Sequence, residues 1–217
     1  MTEGVRRRRV DGAGGSETRD ALVRATAQIM LEEGYAAATS RRVAARAGIR
    51  PPLVHYYFPT MDDLYLAVFR DGAEANLERL KQALLEEQPM RAILQLHSDP
   101  KGTALQMEFM ALSNHRKAIR SEIAAYGLRF REIETAAFAM LMGARGIDPR
   151  DLPPVAVSVA LTCVTRTLVM ESELGITGGH DRTQRVLDDL VQQLELRPPA
   201  TGTDRGQTHP SHSTPTT

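Results

Sequence analysis

"GYAAATSRRVAARAGIRPPLVHYYFPTMDDL", Gly34 to Leu64, is the stretch on which the fold turns. Helix stop and start signals alternate along it. Gly34 closes a preceding helix, and Thr39 or Ser40 can cap a short one through Ala47. Gly48 then breaks the chain with the permissive backbone a tight turn requires. Arg50 to Tyr57 is the next short helix, opened by Pro51 and Pro52. Proline holds φ near the helical value and lacks only an N–H that the first turn leaves unpaired. It also biases the residue before it away from helix, so Arg50 belongs to the turn. Thr60 caps a longer helix, with Asp62 and Asp63 in its first turn, where negative side chains suit the dipole. Val43, Ala44 and Ala47 can pack inward from the second helix, Ala44 and Ala47 being small enough to let the following helix cross closely, and Ile49 and Val54 are the apolar anchors of that next helix. Three short helices with a glycine between the second and third make a helix-turn-helix.

At this level of detail the stretch resembles the DNA-binding signature of the TetR family of transcriptional regulators. The matching residues are Gly34-Tyr35, Thr39, Val43-Ala44, Ala47-Gly48-Ile49, Tyr57-Phe58 and Asp63-Leu64. The resemblance implies that the helix from Pro51 is a recognition helix. Val54 and Phe58, four apart, then point inward, while Pro52, Leu53, His55 and Tyr56 face the major groove. Pro52 and Leu53 suit thymine methyl groups, and Arg41 resembles a family position that reaches a guanine edge. Ser40 and Tyr57 resemble positions that bond phosphate oxygens, and the helix start at Thr60 offers N–H groups to another. Arg50 completes this expected DNA-binding set. A plain core or cap role is the alternative for His55 and the tyrosines. Two departures stand out. Arg50 replaces the family's frequent Ser or Thr cap, and Met61 replaces a frequent Lys, which removes a phosphate contact.

Outward from this motif the chain reads as an all-α fold of about nine helices. Residues 1–16, with Arg6 to Arg9 and a glycine-rich run, read as a flexible basic arm. Residues 17–64 form the helix-turn-helix DNA-binding domain. Residues 65–196 form a larger C-terminal domain for effector binding and dimerisation. Residues 197–217, rich in Pro, Thr and Ser, read as a disordered tail. Helix boundaries are expected at Ser16 or Thr18, near Glu87, at Pro89, at Thr103 after a "SDPKG" turn, between Asn114 and Lys117, at Pro153 or Pro154, and at Asp181.

The 217 residues are 42% hydrophobic and 25% charged with zero net charge, so charge alone announces no partner. Its distribution is uneven. Residues 1–58 hold ten Arg against six Asp and Glu, whereas the remainder is acidic. A single cysteine, Cys163, allows no internal disulfide and favours a reducing, cytoplasmic setting. No apolar run follows the basic N-terminus, and no stretch of about twenty uncharged apolar residues appears, so neither a signal peptide nor a membrane span is expected.

The C-terminal helices carry Met and Phe side chains that suit a hydrophobic small molecule. The effector-pocket candidates are His97, Met107, Glu108, Met110, His115, Tyr126, Arg129, Phe130 and Thr162, with plain core packing as the alternative for the apolar ones. The last two helices are expected to pair with those of a second copy through Val159, Arg166, Met170, Leu187, Leu190, Val191 and Leu194. Arg166 is read as paired across that interface, or else against a ligand acid. No cofactor, metal or catalytic motif is recognised: the histidines are not at metal-ligand spacing, and "GITGG" follows a helix rather than a strand. The resemblance thus implies a homodimeric repressor of a palindromic operator, released by a small, hydrophobic effector. An activator or a ligand-independent regulator of the same fold is the alternative, and a helical enzyme has no support in the sequence.

Overall fold

The computed structural model describes residues 12–196. Among the described residues there are nine α-helices, one 3₁₀ turn and no strand. The Arg6 to Arg9 run and the 197–217 tail lie outside the described residues.

The first helix, α1 (Gly12–Glu33), begins four residues ahead of the expected Ser16 cap. Leu22, Ala25 and Ile29 form its buried face, at the spacing an amphipathic helix requires. Gly34, at φ +84°, turns the chain into a 3₁₀ turn, Tyr35–Ala37, which the sequence reading did not foresee. Thr39 caps α2 (Ser40–Arg46), its hydroxyl accepting the Arg42 N–H at 3.4 Å. Gly48, at φ +68°, makes the tight turn into α3 (Pro51–Tyr57). Arg50 occupies the N-cap position of α3 with extended backbone and no side-chain cap bond.

The long helix α4 (Met61–Ala83) opens on a capping box. The Asp63 N–H donates to the Thr60 hydroxyl at 3.1 Å, and the Thr60 N–H donates to the Asp63 carboxylate at 2.9 Å. The helix stops at Ala83, four residues short of the expected Glu87. Acidic Glu86 and Glu87 oppose a helix C-terminus, and Gln88 precedes the proline that starts α5 (Pro89–His97). The "SDPKG" segment is a helix start rather than a turn. Asp99 caps α6 (Pro100–Ser113) by accepting the Lys101 N–H at 3.1 Å, and Pro100 sits in the first turn. Next come α7 (Lys117–Gly143), α8 (Pro154–Glu173) and α9 (His180–Leu196).

Two apolar clusters organise the molecule. The first joins Leu22, Ile29, Val43, Ala44, Val54, Phe58, Leu64 and Val68 to Phe109 and Leu112 of α6 and Ile119 of α7. The second gathers Leu80, Ala83, Ile93, Leu94, Phe138, Met142 and Leu161. Helix α4 enters both, through Leu64 to Phe69 at one end and Leu80 and Ala83 at the other. The apolar interior therefore crosses the position between residues 64 and 65 without interruption.

By length and composition alone, α8 is long and apolar enough to cross a membrane, although it carries Arg166. Only 22% of its most apolar window is buried.

Candidate nucleic-acid interface and effector region

Helix α3 presents two distinct faces. Val54 and the following Phe58 are buried, whereas Pro51, Pro52, Leu53, His55 and Tyr56 are exposed, Tyr56 at 71%. Tyr57 is half-buried against the first core, and its ring meets Tyr56 edge-on at 5.1 Å. The guanidinium of Arg19 lies 5.1 Å from the centre of the Phe58 ring, tying α1 to the end of α3. A short helix held at Val54 and Phe58 thus leaves Leu53, His55 and Tyr56 on its solvent side.

The three arginines of α2 differ in their partners. Arg42 and Arg46 reach back to α1, Arg42 pairing with Glu33 and Arg46 bonding Glu32 at 2.8 Å. Arg41 is exposed and has no carboxylate within 4.0 Å among the described residues. Ser40 is half-buried at the first position of α2. At the start of α4, Thr60 is exposed, but its N–H already belongs to Asp63, so the N–H groups of Met61 and Asp62 are the ones left for a phosphate. Met61 itself packs partly against the first core.

Three ties join this unit to the helices behind it. The Tyr35 N–H donates to the Glu108 carboxylate of α6 at 2.6 Å. A Cβ at Gly34 would sit 3.5 Å from that carboxylate, an ordinary contact distance, so it is the positive φ that calls for glycine here. Arg116, at the N-cap of α7, pairs with Asp62, and Arg70 of α4 bonds Glu122 of α7 at 2.7 and 3.1 Å.

Between the two apolar clusters runs a line of rings and polar groups. Phe69 meets Tyr126 at 5.6 Å, Tyr126 meets Phe130 at 5.9 Å, and Phe130 meets His97 at 5.9 Å, all between ring centres. Asn76 of α4 donates to the Tyr126 hydroxyl at 2.8 Å. Burial pushes the Tyr126 phenol above its ordinary value; the Asn76 bond opposes this and the Glu134 charge adds to it. His97 bonds the carboxylate of Glu134, which is fully buried and also accepts from the Ser158 hydroxyl. Arg131 donates to Ser158 at 3.2 Å, and Thr162 is buried one turn further along α8.

Of the sequence candidates, His97, Tyr126, Phe130 and Thr162 fall on or beside this line. Met107 is half-buried on α6. Glu108 faces the other way, committed to the Tyr35 N–H. Met110, His115 and Arg129 are exposed, because their positions on α6, on the α6–α7 turn and on α7 point away from both clusters. Glu134, Arg131, Ser158, Asn76 and Gln106 were missed. Glu134 did carry a signal: Tyr126, Phe130, Glu134, Ala137 and Leu141 share one helical face, and a carboxylate on an apolar stripe needs a partner.

The interface candidates divide in the same way. Leu187, Val191 and Leu194 of α9 pack on the protomer's own second cluster. The stripe read for a partner therefore faces inward for those three. Val159, Met170 and Leu190 are exposed, together with Val155, Leu174 and Val186. Arg166 is half-buried and donates to Gln106 of α6 at 3.0 Å within the protomer.

Residues 22–68 match the family model described as bacterial regulatory proteins, tetR family. The HTH-type transcriptional regulator BetI of Rhizobium meliloti is 26% identical over 145 residues, which are 61% of this chain and 67% of that one. The HTH-type transcriptional activator FasR of Mycolicibacterium smegmatis is 32% identical over 68 residues, 31% of each chain. A crystal structure from Saccharomonospora viridis, described as a transcriptional regulator in complex with choline, aligns with TM-score 0.69. It is 16% identical and the match covers 82% of this chain and 96% of that one, a likeness of fold. With the helix-turn-helix geometry and the family match falling on the same residues, residues 22–68 are a TetR-family DNA-binding domain of a transcriptional regulator.

Proposed function

We propose that the protein is a homodimeric cytoplasmic repressor that leaves a palindromic operator when a small molecule binds among α4 to α8. The observation that carries the reading is the pair of faces on α3, with Val54 and Phe58 held in the core and Leu53, His55 and Tyr56 left to solvent. Ser40, Arg41, Arg50, Pro52, Tyr57 and the start of α4 at Thr60 complete the surface offered to DNA. Leu53 and Pro52 read thymine methyl groups and Arg41 a guanine edge, while Ser40 and Tyr57 set the register on phosphates.

Release is a coupling between two sites through elements that touch both. Helix α4 enters both apolar clusters, and α6 reaches the 3₁₀ turn through Glu108. A ligand that shifts α6 or α4 therefore moves the frame on which α2 and α3 stand. A protein of like fold is described in complex with choline, which supports a small-molecule site without placing it. Activation is the second reading, favoured by the partial similarity to an activator.

Enrichment of duplexes from a random library on the full-length protein, followed by footprinting, tests the proposal. The expected product is a two-fold symmetric site with two protected half-sites on one face of the duplex. Recovery of no consensus at moderate salt against excess competitor DNA would sink it. Transcription from a promoter bearing the selected site then separates repression from activation.

A further inference from the structure

Helix α7 opens against its own dipole. A helix start favours acids, yet residues 114–121, NHRKAIRS, carry Arg116, Lys117 and Arg120 and no acid. Arg116 occupies the N-cap position with extended backbone and no side-chain cap bond. All three cations are exposed. Arg116 pairs with Asp62, whereas Lys117 and Arg120 have no carboxylate within 4.0 Å among the described residues. Ile119, between them in sequence, is buried in the first core and fixes this end of the helix.

The place of this basic end follows from its ties to α4. Asp62, Arg70 and Asn76 of α4 meet Arg116, Glu122 and Tyr126 of α7 in that order. The two helices therefore run parallel, and α7 starts level with the start of α4. Side chains on a helix tilt toward its N-terminus, so those of Lys117 and Arg120 are directed to the end where α3 passes into α4. At that corner the first turn of α4 has no cation of its own. Met61 packs partly on the first core, and the Asp63 carboxylate accepts from the Thr60 N–H and hydroxyl. The Asp62 carboxylate is left outside the capping box, and Arg116 is its partner.

We propose that the start of α7 is a second DNA contact, with Arg116, Lys117 and Arg120 binding the phosphate backbone of the operator beside the half-site that α3 reads. This rests on the operator-binding reading above and extends it to residues outside the DNA-binding domain. A duplex backbone is a line of closely spaced anions, and a patch of cations that adjoins the DNA-binding domain through Asp62 complements it. Arg116 acts twice. It cancels the Asp62 charge, which repels a phosphate at the start of α4, and its fork has N–H groups to spare for the phosphate itself. Contacts of this kind carry affinity and no sequence information. They also give the C-terminal helices a direct hold on the operator, since the patch sits on the turn that α6 leads into.

The test measures affinity of the full-length protein for the selected operator across a salt series. Lys117→Gln combined with Arg120→Gln removes two cations that hold nothing in the fold, so Tm is expected to stay. The slope of log K against log salt is expected to fall by about two, with binding about tenfold weaker, equally on the operator and its single-base variants. Arg116→Gln is set against Asp62→Asn. A guanidinium that only held α4 would make both variants weaken binding alike. With a phosphate contact, Arg116→Gln weakens binding, whereas Asp62→Asn frees the guanidinium, removes a negative charge and tightens binding about threefold. An unchanged salt slope in the double glutamine variant overturns the proposal and leaves the basic end of α7 to an acidic protein. Equal losses from Arg116→Gln and Asp62→Asn overturn it for Arg116. Absence of binding by the parent protein overturns the operator reading as well, whereas parent binding with a slope the variants share overturns this proposal alone.

Discussion

Three arginines stand within six residues on α2, and their partners give them different work. Arg42 and Arg46 are held against α1 by Glu33 and Glu32, whereas Arg41 is left to the outside. Arg41→Ala is expected to cost DNA affinity about 1–3 kcal/mol and to relax the selected site at one base pair per half-site. Arg42→Ala is expected to leave the consensus unchanged. Competition binding on the selected duplex and its single-base variants measures both, and equal losses on all duplexes would show that Arg41 touches only phosphate. Met61 is a second residue-scale test. It begins α4 half-packed on the first core, beside N–H groups left free by the capping box. Met61→Lys is expected to tighten DNA binding and to steepen the plot of log K against log salt by about one. An unchanged slope would mean that this position does not face a phosphate. The buried and exposed sides of α3 were legible in the sequence, because the helix is short and its inward pair is fixed by the four-residue spacing of Val54 and Phe58. The partners of Arg42 and Arg46 that single out Arg41 were not, since they come from α1, nine and fourteen residues upstream.

At the scale of elements, the helix starts that carry a side-chain cap or a first-turn proline were legible wherever the pattern was read as such. Thr39, Thr60, Pro89 and Pro154 fall within one residue of the observed starts. The misreading at "SDPKG" has the same physics: Asp99 followed by Pro100 is a cap and first turn, not a loop. What periodicity could not supply is which side of α6 meets which neighbour. Glu108 looked like a pocket residue among Leu105, Met107 and Phe109, yet its carboxylate holds the 3₁₀ turn. Glu108→Ala strands the Tyr35 N–H beside the first core. It is expected to lower stability by about 1–3 kcal/mol in urea unfolding, with a matching fall in DNA affinity. Glu108→Gln keeps a carbonyl acceptor and is expected to recover much of the loss. Equal stability of the alanine variant and the parent protein would rule out the tie.

For the whole molecule, the sequence foresaw an all-helical chain with a long connecting helix, but not that one apolar cluster would include α6 and the start of α7 along with the helix-turn-helix. That arrangement depends on contacts between residues forty and more positions apart, such as those joining Phe69 and Phe109 at 5.2 Å. The same limit applies to α9, whose single apolar stripe was assigned to a partner. The stripe is divided: Leu187, Val191 and Leu194 close the protomer's second cluster, and Val186 and Leu190 remain outside. Val155 and Val159 recur on the outer side of α8 at helical spacing, exposed at 48% and 43%. A second copy that covers these outer residues gives α8 a reason for being apolar on more sides than its own protomer buries. The division yields a paired prediction. Leu190, 52% exposed, contributes little within the protomer, so Leu190→Glu is expected to leave thermal stability at high dilution within about 0.5 kcal/mol. Light scattering is expected to show it as a monomer, with affinity for a two-fold operator reduced about a hundredfold or more as the second half-site contact is lost. Leu187→Glu places a carboxylate against the second cluster and is expected to destabilise the protomer itself by several kcal/mol, about the cost of burying an unpaired charge. If Leu190→Glu remains a dimer, the pairing surface lies elsewhere on the molecule, and the apolar outer side of α8 needs another occupant.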